Sequence, residues 1–110
     1  MKIPTATRAA IGLAALCLTS FTLPVCTQDS GADTYKAKCL MCHGADGLGN
    51  TPVGKMVKIV SLKDPTVVNA KDADLIAVVT NGKNKMPPNK GKLTDDQITA
   101  VVAYIRTLQK

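Results

Sequence analysis

From residue 93 the chain reads LTDDQITAVVAYIRTLQK, and Ile98, Val101, Val102, Ile105 and Leu108 recur at helical spacing on one face. Thr94 with Gln97 three residues on forms a capping-box pair, and Leu93 with Ile98 forms the hydrophobic staple around it. Asp95 and Asp96 fall in the first turn and Arg106 and Lys110 near the end, the polarity that a helix dipole favours. The pattern predicts a helix over Asp95 to Leu108. A second amphipathic stretch, DADLIAVVTNG, opens at Lys71 or Asp72, carries Leu75, Ile76, Val78 and Val79, and stops at Asn81-Gly82. Its β-branched run would also suit a strand, but the acidic start and the Asn-Gly stop favour a helix. A third, shorter helix is predicted over ADTYKAKCLMC, starting at Gly31 or Asp33 and ending at Gly44.

Between these segments the periodicity disappears. HGADGLGNTPVGK, with four glycines and one proline, reads as loop. NGKNKMPPNKGK, with two prolines, two glycines and four lysines, reads as a second. Pro65 breaks the stretch SLKDPTVV. The expected architecture is all-α, three to five helices joined by long Gly/Pro-rich loops. Loops of that length in a small domain usually carry function.

The N-terminal apolar positions have no period at all. They run together from Ala9 to Leu18, extended by Phe21, Leu23 and Val25, behind Lys2 and Arg8. A positive start, a short apolar stretch and a polar exit describe a secretory signal over residues 1–30, cleaved between about 26 and 32. Thr19, Ser20, Thr22 and Pro24 interrupt the run well before the roughly 20 apolar residues of a membrane span. The domain is then 33–110, placed in the periplasm. Leu23-Pro24-Val25-Cys26 also resembles a lipoprotein cleavage box, although Val25 departs from the small residue expected there. Cys26 is either discarded with the signal or lipidated, and only lipidation or an uncleaved N-terminus would tether the protein to a membrane.

Composition adds two constraints. The chain has one Phe, two Tyr and no Trp, little bulk with which to fill a core, and so small a domain usually carries a staple or a large bound group. From Asp33 onward eleven Lys and one Arg stand against seven Asp and no Glu, a formal +5. Such a surplus serves solubility, or steers the protein to an acidic partner. Nucleic acid is a poor fit, since the domain has a single Arg and no aromatics interleaved with its lysines.

The chemistry concentrates in KCLMCHG. Cys39 and Cys42 are three positions apart, and His43, the only histidine, follows at once. A thioredoxin-like CxxC needs a βαβ setting, which is missing here. Zinc needs four ligands, and no Cys or His follows His43. A disulfide across two intervening residues closes too short a loop to stabilise much. Covalent attachment of one haem fits the spacing. Two thiols reach the two vinyl groups on one porphyrin edge, and the next side chain reaches the iron. The second axial face needs another ligand. Met1 is in the signal, and Met41 is held on the wrong side by the motif. Met56, in KMVKIV, reads first as a core filler. Met86 stands in KNKMPPNK, stiffened by Pro87 and Pro88, and is the expected sixth ligand with Met56 as the alternative.

YKAKCLMCHGADGLG, then NGKNKMPP, then LTDDQITAVVAYIRTL, together resemble the class I c-type cytochromes, in particular their small bacterial and photosynthetic carriers. The resemblance spans about residues 32–110. It implies the cytochrome c fold wrapped around one haem c. Its first and last helices would cross through Tyr35, Val101, Val102, Tyr104 and Ile105. It also implies that the Pro52 carbonyl accepts a hydrogen bond from the His43 ring. Many relatives hold a haem propionate with a Trp that this chain lacks. Asn50, Lys55, Lys58 and Asn69 are the candidates to replace it.

His43 and Met86 together would saturate the iron and leave no position for a substrate. The expected function is therefore a monomeric one-electron carrier, not an enzyme, exchanging electrons with redox proteins. Lys36, Lys38, Lys83, Lys85, Lys90 and Lys92 flank the two ligand segments, as a solvated rim or as a docking ring for an acidic face. Two alternatives stand beside it: a sensor or peroxidase with a displaceable Met, and a haem-bearing subunit fixed in a larger oxidase or dehydrogenase complex.

Overall fold

The structure, a computed structural model, describes residues 30–110. The signal segment, Ser30 apart, and both readings of Cys26 lie outside the described residues. Among these residues the chain forms six helices and no strand: α1 Gly31–Lys38, α2 Leu40–His43, α3 Pro52–Val57, α4 Pro65–Val68, α5 Asp72–Asn81 and α6 Asp95–Leu108. None is long and apolar enough to cross a membrane.

The long helices begin and end where their sequence signals stand. In α6 the Thr94 hydroxyl accepts from Gln97 N–H at 3.2 Å, and the Gln97 side chain accepts from Thr94 N–H at 2.9 Å, completing the capping box. In α5, Gly82 closes the helix, donating its N–H to Val78. The segment expected as one helix into the motif is divided at Cys39 into α1 and α2. Cys39 N–H still bonds Tyr35 O at 2.8 Å, but Cys42 N–H reaches Cys39 O at 3.2 Å, a tighter three-residue turn.

Two expectations for the irregular stretches need correction. The end of HGADGLGNTPVGK is not loop, and Pro65 does not break its segment. Pro52 and Pro65 each stand in the first turn of a helix, where the missing N–H had no partner to lose. Thr51 caps α3 by accepting from Gly54 N–H, and Asp64 caps α4 by accepting from Thr66 N–H at 2.9 Å. The Thr66 hydroxyl also donates to Asp64, and these bonds hold its carboxyl below the usual range.

The core is the crossing of α1 and α6. Tyr35, Ile98, Val101 and Val102 are essentially fully buried, with Leu62, Val79 and Ile105 completing the cluster. Tyr104 joins as expected, its ring 5.3 Å from that of Tyr35 and tilted by 57°. Each buried aliphatic side chain contributes about 1.5–3 kcal/mol. Arg106 ties the rest of the chain to this crossing. It donates to the carbonyls of Val67 (3.3 Å), Val68 (3.0 Å) and Ala70, to Gln109 Oε1 (2.9 Å), and pairs with Asp72 at 2.8 Å. Gln109 in turn donates to Leu62 O at 2.8 Å. α4 and the start of α5 are thereby held against the end of α6.

Candidate functional site

Cys39 ends α1 and precedes α2, whose four residues include Cys42 and His43. Three successive carbonyls at the end of this motif are each held, two by the loop that follows it and one by α1. Cys42 O accepts from the Thr51 hydroxyl at 3.0 Å, His43 O from Gly49 N–H at 2.8 Å, and Gly44 O from the Tyr35 phenol at 2.7 Å. The last bond is buried and joins the motif directly to the core. The backbone carrying His43 is thus fixed by three hydrogen bonds.

The side chains have the character a covalent prosthetic group requires. Cys39 and Cys42 are free thiols, both half-buried. Burial, with the electrostatic influence of neighbouring Cys42 as a second cause, pushes Cys39 up to about 11, so it rests as a thiol. Burial lowers the His43 pKa and keeps its imidazole neutral, with a lone pair available to a metal. His43 Nδ1 is buried and has no hydrogen-bond partner among the described residues, so the bond expected to the Pro52 carbonyl is not formed here. Pro52 itself is exposed in the first turn of α3.

Met86 lies in a second fixed element. Lys83 N–H bonds Met86 O at 3.1 Å and Met86 N–H bonds Lys83 O at 2.9 Å, closing a tight turn with Asn84 in the left-handed region. Asn89 anchors the far side, its side chain donating to Val79 O at 3.0 Å and its N–H reaching Val79 O and Thr80 O. Gly82 connects the turn to α5 with φ +75°, and a Cβ there would meet Met86 O at 2.5 Å and Pro88 N at 2.9 Å. Only glycine satisfies both the dihedral and the contact. Gly82→Ala is expected to lower stability by about 2 kcal/mol. Urea unfolding measures this, and the damage should centre on the Met86 turn.

Met86 and Cys39 both pack, half-buried, against the common core. The alternative ligand, Met56, is 72% exposed on α3, and Met41 is 73% exposed. Among the described residues, and besides Met41, every exposed large hydrophobic residue (Leu48, Met56, Val60, Val68) comes from the segment between the two ligand candidates. Uncovered apolar residues concentrated in one segment fit a large apolar group seated beside them. Among the described residues no three His, Cys or acidic side chains gather to hold a metal ion by themselves. The residues present therefore fit a haem and not a bare ion. The concavities beside α1, one of them lined by Asp33, Thr34, Lys38 and Gln97, include none of these candidates. The sequence reading missed Thr51, Asn89 and Arg106. Thr51 alone had a visible signal, a cap-forming residue directly before a proline.

Comparison with known proteins decides the family. The family described as cytochrome c oxidase, cbb3-type, subunit III, matches residues 27–105. Cytochrome c6 of Leptolyngbya boryana is 38% identical over 78 residues, covering 69% of this chain and 86% of that protein. The chain belongs to the class I c-type cytochromes. Cytochrome c6 of a Nostoc species is 39% identical over 88 residues, covering 78% of this chain and 77% of that protein. The solved structure of KustC0563 c-type cytochrome superposes with a TM-score of 0.67 at 29% identity, over 74% of this chain and 99% of that one. The FixP subunit of a cbb3-type cytochrome c oxidase from Azorhizobium caulinodans is 32% identical over 80 residues, which make up 26% of that subunit. As a c-type cytochrome with the all-α fold of its family, the chain binds one haem c covalently and carries electrons; it is not an enzyme.

Proposed function

We propose that this cytochrome shuttles single electrons between redox proteins outside the cytoplasm, with His43 and Met86 as its two axial ligands. The haem, when bound, supplies an Fe(III)/Fe(II) couple, and Met ligation raises its potential. Cys39 and Cys42 would hold the haem as thioethers. His43 would bind the iron, and its ring N–H, without a partner among the described residues, would find its acceptor in the Pro52 carbonyl, which would orient the ligand. Met86 would be the second protein ligand to the iron and would exclude exogenous ligands.

One observation supports this reading above others. Both ligand segments are fixed independently of each other, His43 by three held carbonyls and Met86 by a closed turn anchored through Gly82 and Asn89. A site built to stay the same in both oxidation states suits electron transfer, since little rearranges when the charge changes. Lys36, Lys38, Lys83, Lys85, Lys90 and Lys92 are all exposed beside these segments, and we assign them to docking an acidic face. Residues 1–30 export the protein to the periplasm as a monomer, with lipidation of Cys26 as the variant that would tether it.

The ferric spectrum and a CO challenge test the reading together. The far-red charge-transfer band of Met-ligated iron should be present, and the reduced protein should not bind CO on mixing. No such band, together with rapid CO binding, would show an open site. Intact mass of the native protein reads the N-terminus and any lipid on Cys26. The cbb3-type match favours a second reading, a subunit of a larger complex. Free elution on native purification supports the carrier, and co-migration with a membrane complex supports the subunit.

A further inference from the structure

We infer that Thr51 is a positioning residue for His43, setting the orientation of the imidazole by bridging the attachment motif to the first turn of α3. The inference rests on the proposed role of His43 as a ligand. Thr51 is half-buried, and its hydroxyl works in both directions at once. It donates to Cys42 O at 3.0 Å and accepts from Gly54 N–H at 2.9 Å. The first bond reaches back nine residues to the peptide that carries His43, and the second caps α3.

The two elements are in backbone contact at this point. A Cβ added to Gly54 would meet Cys42 O at 2.5 Å and Thr51 Oγ1 at 2.9 Å, and would also run into Gly49 O. At Gly54 no side chain separates α3 from the motif, and the Thr51 hydroxyl is a polar link across this close junction. Thr51 is extended, with φ −103° and ψ 161°, and Pro52 follows with its φ fixed by the ring. The placement of the Pro52 carbonyl therefore follows from the anchoring of Thr51. His43 Nδ1 is buried and without a partner among the described residues, and the Pro52 carbonyl is the acceptor proposed for it in the haem-bound protein. A metal-bound histidine takes its ring orientation and basicity from the group its second nitrogen bonds. Breaking the Thr51 bridge would release that acceptor, weaken the ring N–H bond and make the ligand less basic.

The test uses the holoprotein with Thr51→Val, Thr51→Ser and Thr51→Asp. Valine keeps the shape and removes the hydroxyl. Serine keeps both bonds. Aspartate keeps an acceptor for the cap but cannot donate to Cys42 O, so it separates capping from bridging should the valine protein not fold. Midpoint potential and the spread of haem methyl resonances in the ferric NMR spectrum report the ligand ring. Thr51→Val is expected to raise the potential and alter the methyl pattern while keeping the far-red Met band. Thr51→Ser should restore both quantities, and Thr51→Asp should alter the methyl pattern with little loss of thermal stability. A wild-type methyl pattern and potential in Thr51→Val, or a wild-type methyl pattern in Thr51→Asp, would reduce Thr51 to a helix cap and overturn the inference. A wild-type spectrum lacking the Met band overturns Met86 instead, and the Thr51 comparison is still read on the same NMR pattern.

Discussion

Met86→Ala is expected to abolish the far-red band, open the iron to CO and lower the midpoint potential by on the order of 0.2 V, part of the roughly 0.8 V span that axial ligands control. Loss of the thioether removes the ligand that favours Fe(II). The fold should survive, because the turn is closed by backbone bonds between Lys83 and Met86 and anchored by Asn89, none of which uses the Met86 side chain. Met56→Leu is the matched control. Met56 is mostly exposed on α3, so its replacement should leave spectrum and potential unchanged. Spectroelectrochemistry of the two variants separates the ligand assignments: a large drop in the Met56 variant and none in the Met86 variant would exchange their roles.

Arg106→Ala is expected to cost about 3 kcal/mol of folding stability, read by urea unfolding. The ion pair with Asp72 is not the main loss. The Asp72 side chain is 69% exposed, and an exposed pair contributes about 0–1 kcal/mol. The larger loss comes from the carbonyls of Val67, Val68 and Ala70, which the guanidinium satisfies together at the end of α4. Asp72→Asn should therefore cost less than about 1 kcal/mol, and Arg106→Lys should recover only part of the loss, because an ammonium cannot span the same fork of acceptors. An Asp72→Asn loss as large as that of Arg106→Ala would place the stabilisation in the ion pair after all.

The contrast between Thr94 and Thr51 shows how far the sequence could be read. Thr94 opens a helix of fourteen residues with a capping box and a regular apolar stripe, signals that reinforce one another, and the helix stands where they place it. Thr51 opens a helix of six residues inside a Gly-rich stretch, too short for periodicity to emerge. Its proline reads as a breaker until the capping residue before it is weighed. Asp64-Pro65 repeats the same lesson at α4. The core followed from the α6 stripe together with Tyr35, because a long amphipathic helix in a small domain has few faces to pack against. The links made by Arg106 and Asn89 were not legible. Both bind backbone carbonyls, which every residue offers, so nothing in the residue pattern marks their partners. At the site, the spacing of Cys39, Cys42 and His43 named the cofactor, since few groups need two thiols and an imidazole in five residues. Met86 stood out only through its stiff surroundings, and the structure adds a cause for that stiffness in the Gly82 contact and the closed turn.

The central claim is that His43 and Met86 close the iron of a single haem for one-electron transfer, and an optical redox titration of the purified holoprotein tests it most directly. The account predicts one reversible one-electron wave with a midpoint above zero against the standard hydrogen electrode. A midpoint well below zero, or a titration that no single one-electron wave fits, would contradict it.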